Sequence, residues 1–307
     1  MWFNQLMVFH YELAEEIDFA EALRNDYLKP CPPHARFMYG WLPAYSDELV
    51  QDVAGAKLIC LGKEERILPR AVIQRELSEK IEQIEVQQNR QVKKQEKAQM
   101  MEDIEFDLLP KSFCLQKRLP AIIDTVSHRI YVASSSANQA SQLLSLLRKS
   151  VPSISIEPFS PQVDMALRFA SWISHPETLP ANFSLANDCL LFSQSDEKKK
   201  INCKGYEMPA DEILTLIEQG LAAAEISLTW HDRIQFTLTQ DLIVKRLKCL
   251  DYLNDDFQEI KQLDEDYQQQ DAALTLLSGE LRGLVDDLAK SCVQSITLTS
   301  EQEPTVA

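Results

Sequence analysis

Residues 69–110, PRAVIQRELSEKIEQIEVQQNRQVKKQEKAQMMEDIEFDLLP, carry a helical pattern between two prolines, whereas the sequence on both sides alternates like strand. Pro69 suits a first helical turn, whose N–H groups have no intrahelical acceptor, and Pro110 ends the run. Ile73, Leu77, Ile81, Ile84 and Val92 recur at helical spacing and form one apolar stripe. Upstream, LMVFHYEL (6–13), RFMYGWLP (36–43) and AKLICLG (56–62) are strand-like around loops holding Pro32, Pro33 and Pro43, and DFAEALRNDYL (18–28) is a short amphipathic helix. Downstream, AIIDTVSHRIYVA (121–133) reads as a hairpin, NQASQLLSLLRKS (138–150) as a helix and SISIEPF (153–159) as a strand. Strands and helix follow a similar order on both sides. A single α/β domain over residues 1–160 is therefore expected, with the helical stretch inserted at about 66–108 as an arm.

Residues 161–300 read as a second α/β domain. A helix, VDMALRFASWIS (163–174), precedes the strand-like CLLFS (189–193) and INCKGYEM (201–208); PADEILTLIEQG (209–220) has a proline start and Gly220 in the C-cap position. AEISLTW (224–230), RIQFTLT (233–239) and IVKRLKCL (243–250) alternate as three adjacent antiparallel strands. An acidic helical region closes the domain, with Leu274, Leu277, Leu281, Leu284 and Leu288 on an apolar stripe, and residues 301–307 form a frayed tail. The expected fold class is α+β, with mixed antiparallel sheets and flanking helices.

Charge and cysteine usage narrow the function. The chain has 307 residues and a formal charge of −16, but residues 63–150 alone are net +3, while 1–62 carry −5 and 151–307 carry −14. Exposed charges more than about 8 Å apart are largely screened, so one basic surface can hold a polyanion while the rest of the protein repels it. The seven cysteines form no C-x-x-C pair, the N-terminus lacks a signal-peptide pattern, and no apolar run approaches the roughly 20 residues of a membrane helix. A cytosolic protein with free thiols and no membrane contact is expected. Walker A, G-x-G-x-x-G, G-x-S-x-G and H-E-x-x-H motifs and zinc-type Cys/His spacing are absent, so no metal or cofactor is expected. One acid/base pair remains as an enzymatic alternative: Asp124 and His128, across the turn of the 121–133 hairpin. Asp124 as a turn cap, with His128 on the exposed side, is the plainer reading. A third reading is an adaptor whose acidic surface recruits basic proteins.

The cations themselves gather in four places. Arg90, Lys93, Lys94 and Lys97 stand at i, i+3, i+4 and i+7, which puts all four on one helix face if the helix runs unbroken; coil at 87–89 would spoil that face. A solvated helix surface accounts for the spacing as well as phosphate binding does. Lys111, Lys117 and Arg118 surround Phe113 in LLPKSFCLQKR (108–118), a connector where an exposed aromatic suits a partner contact. In IVKRLKCL strict alternation divides the cations, with Lys245 on one face and Arg246 and Lys248 on the other. Lys204 follows Lys198, Lys199 and Lys200 near a loop or strand end, where solvation is the default.

MWFNQLMVFHYEL at the start, GWLPA (40–44), KEERILPRAVIQREL (63–77), LLPKSF (108–113), IDT (123–125), LLRKS (146–150), WHDRIQF (230–236), VKRLKCLD (244–251) and SGEL (278–281) together resemble the recombination-associated RdgC family of proteobacteria, in collinear order over nearly the whole chain. That resemblance implies a non-enzymatic, nucleoid-associated protein, a homodimer closed into a ring around duplex DNA, with a basic inner surface, little sequence preference and antagonism of RecA-promoted strand exchange. It implies DNA contacts among Arg90, Lys93, Lys94, Lys97, Lys111, Lys117, Arg118, Lys204, Lys245 and Arg246, and a dimer contact at Phe113. Where relatives carry a Lys-Gln pair near the ring closure, this chain reads Lys204-Gly205-Tyr206-Glu207, which makes Tyr206 the local candidate for that contact.

Overall fold

The computed structural model describes residues 2–293. Its elements follow one another as β1 (Met7–Leu13), α1 (Phe19–Arg24), β2 (Phe37–Leu42), β3 (Gln51–Val53), β4 (Ala56–Ile67), α2 (Arg70–Gln88), α3 (Lys94–Leu108), β5 (Phe113–Asp124), β6 (Arg129–Val132), α4 (Ala137–Ser150) and β7 (Ile154–Pro158). There follow α5 (Met165–Ser174), β8 (Phe183–Ser193), β9 (Asp196–Lys204), α6 (Asp211–Glu218), β10 (Leu221–Trp230), β11 (Ile234–Thr239), β12 (Val244–Cys249), α7 (Asp251–Ile260) and α8 (Asp266–Val293). The fold is α+β with two antiparallel sheets. The first runs β2-β4-β5-β6-β1-β7 with β3 beside β4, and the second runs β12-β11-β10-β8-β9.

Alternation on the central strands builds two cores. One face of the first sheet presents Trp41, Ile59, Leu61, Ala121 and Ile123 to Leu23 of α1 and to Leu143, Leu144 and Leu147 of α4, all buried. Each such leucine contributes about 1.5–3 kcal/mol. The opposite face presents Leu58, Ile122 and Tyr131 to a larger core shared with the second sheet, with Phe169 and Trp172 of α5, and with Leu277, Leu281 and Leu284 of α8. Leu6 and Val244 exchange two backbone hydrogen bonds of 2.8 and 3.0 Å, so the start of β1 is stitched to β12. The apolar stripe read over α8 is this core. The frayed tail expected at 301–307 lies outside the described residues.

Local chemistry sets the boundaries. Asp18 and Asp164 cap α1 and α5 by accepting from two backbone N–H groups each. Pro69 stands in the N-cap position of α2, one residue before the first turn where it was expected, and α2 does not continue to Lys97: Asn89 adopts φ 47°, the left-handed helix stop that asparagine tolerates, and α3 starts afresh at Lys94. The arm is thus a hairpin of two helices, with Ile73 of α2 and Ile104 of α3 buried and Val92 buried in the turn. The 19 residues of α2 make it about 28 Å long.

Three further readings are corrected. Phe113 is not in a connector but opens β5, a 12-residue strand that starts immediately after the arm. The second strand of the β8–β9 hairpin covers 196–204, not 201–208, because Gly205 at φ +73° turns the chain out of the ladder. β12 does not alternate: Arg246 at φ 50° forms a bulge, since Lys245 and Lys248 oppose Thr237 and Gln235, three steps against two.

Gly40 marks a close approach. Trp41 N–H donates to Asp26 O at 2.8 Å and Leu28 N–H to Trp41 O at 2.9 Å, locking the segment before Leu28 onto β2. A Cβ at Gly40 would lie 2.3 Å from Leu28 Cα and 2.5 Å from Leu28 N, backbone atoms that have no rotamer to relax into. Gly40→Ala should therefore destabilise the protein by about 1–3 kcal/mol or more, read as a lower urea midpoint; an unchanged midpoint would show that the 26–28 segment can move aside.

Candidate functional site

The arm turn gathers the four cations read at 90–97, though not on one helix face. Arg90 lies in the turn, Lys93 in the N-cap position of α3, and Lys94 and Lys97 in its first turn. Arg90 is neutralised locally: its guanidinium donates to both oxygens of Glu96 at 2.7 and 2.8 Å and to Gln88 Oε1 at 2.7 Å. The hydrogen bond with Glu96 pushes the Arg90 pKa up, and the same bond holds the Glu96 carboxyl below the usual range. Lys93, Lys94 and Lys97 are exposed and make no ion pair among the described residues. A helix N-terminus carries partial positive charge, so three lysines there are an unfavourable placement for an isolated arm.

A second surface is the ribbon of β2, β4 and β5 where it extends beyond the helices. The register sets Tyr39, Lys63 and Lys117 side by side, then Phe37, Glu65 and Leu115, then Ile67 and Phe113 at the end. These rows continue the face that holds Trp41, Leu61 and Leu119 further in, but among the described residues nothing covers the last two. Phe113 is 86% exposed, and Phe37, Ile67 and Leu115 are 45–49% exposed. Lys117 and Lys63 both pair with Glu65, at 2.8 and 3.2 Å, and hold its carboxyl low. Arg118 points to the other face and donates to the Pro43 carbonyl, while Lys111 is exposed in the 3-10 turn Leu109–Lys111.

The third cluster sits on the open face of the second sheet. The bulge at Arg246 keeps Val244 and Leu247 in the core and turns Lys245, Arg246 and Lys248 outward together, so the expected division between two faces does not hold. Lys245 pairs with Glu225 at 2.7 Å and Arg246 with Asp188 at 3.5 Å, along a groove floored by Ser227 and Thr237. Lys204 opposes Asp188 at the end of β9; Gly205 N–H donates to Asp188 Oδ1 at 3.0 Å, and Tyr206, 39% exposed, is anchored by its N–H to Asn187 O at 3.0 Å.

Asp124 and His128 do not form an acid/base pair. Asp124 is fully buried and accepts from Arg282 Nε and Nη2 at 2.8 and 2.9 Å, from Ser127 Oγ at 2.7 Å and from Val126 N–H at 2.9 Å. His128 is exposed in the turn at φ 51°, its ring 5.7 Å from that of Tyr11. Asp124 caps the turn and binds α8. Among the described residues no group of three or more His, Cys, Asp or Glu is arranged to hold a metal ion, and no helix is long and apolar enough to cross a membrane.

Composition and register therefore define an acidic α+β protein with basic clusters at an arm tip and on an open sheet face, and an uncovered apolar ribbon end. The chain belongs to the RdgC family: residues 1–294 match the family described as "Putative exonuclease, RdgC". It is 35% identical over 300 residues to the recombination-associated protein RdgC of Yersinia pestis (strain Pestoides F), covering 95% of this chain and 97% of the relative. The proteins of the same name from Yersinia pseudotuberculosis (serotype O:1b) and Yersinia enterocolitica (serotype O:8) are 35% and 34% identical over the same shares.

Sequence reasoning did not single out Lys63, Phe37, Ile67 and Leu115, and it named Lys248 only as a strand cation and not as a contact. A signal for Leu115 was present: once β5 begins at Phe113, the two-residue spacing of Phe113, Leu115, Lys117 and Leu119 is visible.

Proposed function

We propose that this protein is a non-enzymatic, cytoplasmic and nucleoid-associated duplex DNA-binding protein that closes as a homodimeric ring around DNA and, by occupying the duplex, restrains RecA-promoted recombination. The observation that carries this reading is the trio Lys93, Lys94 and Lys97, without an ion pair among the described residues, at the arm tip of a chain with 47 Asp and Glu and 31 Lys and Arg. In such an excess of acid, cations without a carboxylate partner, set where the helix dipole disfavours them, are arranged for an anion outside the chain. The outward-facing Lys245, Arg246 and Lys248 add to it, with Lys111, Lys117, Arg118 and Lys204 as further contacts. Arg90 contributes less, since Glu96 already holds it. The names of the relatives place them in recombination, which agrees with a role on DNA. Phe113 and Tyr206 are the proposed contacts between copies, Phe113 with the apolar row behind it. The burial of Asp124 against Arg282 argues against the Asp124 and His128 pair on which the enzymatic alternative was built.

Binding should be strong in low salt and indifferent to sequence. If roughly 6–10 phosphates are neutralised, log K falls against log salt with a slope near −5 to −9, and replacing Lys93, Lys94 and Lys97 by glutamine lowers the slope by about three on every duplex. Titrations of random and defined duplexes at several salt concentrations test this. A slope near zero, or a strong preference for one sequence, refutes the electrostatic reading; a wild-type slope in the triple variant returns the arm tip to a solvated turn.

A further inference from the structure

Arg66 is an arginine without an ion pair among the described residues, spent entirely on carbonyls. It lies in β4 opposite Cys114, on the sheet face away from Phe113. Its Nε donates to Pro32 O at 3.2 Å and Nη2 to Cys31 O at 3.1 Å; Nη1 lies 3.2, 3.5 and 3.3 Å from the carbonyls of Leu109, Pro110 and Ser112. Three segments converge on one guanidinium: the loop at 31–32, the last turn of the arm, and the residue immediately before Phe113. The planar fork of five donors suits this, and the end of a helix favours a cation; Leu109 O also accepts from Ser112 N–H at 3.2 Å and Ser112 Oγ at 2.7 Å. Arg36 paired with Glu105 and His34 stacked on Phe106 at 3.9 Å hold the same loop to α3, but neither reaches residues 109–112.

We infer that Arg66 is a positioning residue for the dimer contact: by tying the carbonyls of Leu109, Pro110 and Ser112 to the loop at 31–32, it fixes the direction in which Phe113 leaves the arm root. This rests on Phe113 being a closure contact, as proposed above. The ladder pairing with Ile67 and the bonds from Ser112 N–H and Oγ to Leu109 O also hold this backbone, but no packing fixes a side chain that is 86% exposed, and an anchor held in its bound direction loses less freedom on association.

The test is a double-mutant cycle on the full-length protein bound to covalently closed circular DNA, read as complex lifetime, with hydrogen exchange over 109–114 as a second measurement. Arg66→Ala should shorten the lifetime about tenfold, the scale of a lost charge-assisted hydrogen bond, and speed exchange at Ser112 and Phe113. In the Phe113→Ala background the same substitution should have no further effect. If the two effects multiply, Arg66 acts independently of Phe113 and the inference falls. If Arg66→Ala leaves lifetime and exchange unchanged while Phe113→Ala shortens the lifetime, the inference falls and the closure reading stands. A wild-type lifetime for Phe113→Ala overturns both. Should Arg66→Ala fail to fold, Arg66→Lys, which keeps the charge but cannot span the carbonyls, should give an intermediate lifetime; a wild-type lifetime there overturns the inference.

Discussion

Arg282→Ala should destabilise the protein by roughly 3–5 kcal/mol at neutral pH, the range for breaking a buried pair and leaving one charge behind. The side chain lies on α8 and binds both oxygens of Asp124, which has no exposure, while Arg129 of β6 binds Asp286 one turn further along the same helix. These two pairs tie the hairpin end of the first sheet to the helix that fills the second core. The cost is asymmetric. Arg282 is 26% exposed and can turn to water if Asp124 is removed, so Asp124→Asn should cost less than Arg282→Ala. The pH dependence separates this account from simple loss of packing. Burial pushes the Asp124 carboxyl up, but the hydrogen bonds from Arg282, Ser127 and Val126 N–H outweigh it and hold the carboxyl below its ordinary value of 3.8. A depressed folded pKa means that the stabilisation is present above the unfolded value and is lost as pH falls through the folded one. In Arg282→Ala burial acts with less opposition, the carboxyl moves upward, and protonation relieves the deficit. Denaturant midpoints at neutral pH and near pH 4.5 should show the gap between variant and wild type narrowing in acid. A gap that does not change with pH would assign the loss to packing of the arginine stem.

How far these features were legible in the sequence depended on whether a single side chain or a backbone irregularity set them. The alternation of AKLICLG and AIIDTVSHRIYVA and the leucine stripe of α8 place residues in cores directly, because burial selects one period for strands and another for helices. The break at Asn89 and the bulge at Arg246 were not legible in that way. Each is a non-glycine residue in the left-handed region; asparagine tolerates it, so coil at 87–89 could be named as a possibility though not placed, whereas nothing about Arg246 pointed to a bulge. Both bear on the candidate site: one folds the arm back so that Lys93, Lys94 and Lys97 sit at a tip, and the other brings Lys245, Arg246 and Lys248 to one face. Asp124 shows the converse. Its turn-capping role could be read from its position before TVSH, but its partner Arg282 is 158 residues away and no local pattern points to it.

Phe113→Ala should leave the fold intact and weaken closure between copies. A buried phenylalanine cut to alanine costs about 3–5 kcal/mol of fold stability, but Phe113 is 86% exposed and makes no part of either core, so the unfolding midpoint of the isolated chain should barely move. As an interface anchor it should instead cost at least about 2 kcal/mol of association, roughly a thirtyfold weaker contact. The surrounding rows make that placement coherent: Ile67 lies opposite Phe113, and Phe37 and Leu115 stand one row behind on the same uncovered face, so the aromatic is the outermost element of an apolar surface. If a second contact near Tyr206 survives, the variant remains a dimer that opens more readily. Complexes with covalently closed circles should then dissociate faster than wild type, while complexes with short linear duplexes, which a ring can leave by sliding off an end, should show little change. Sedimentation across a range of protein concentrations measures the association, and competition chase on the two DNA forms measures the lifetimes. A large fall in the unfolding midpoint would place Phe113 in a core. Equal acceleration on circles and linear duplexes would mean that Phe113 touches DNA itself and does not close a ring, and unchanged lifetimes with normal stability would shift closure to Tyr206.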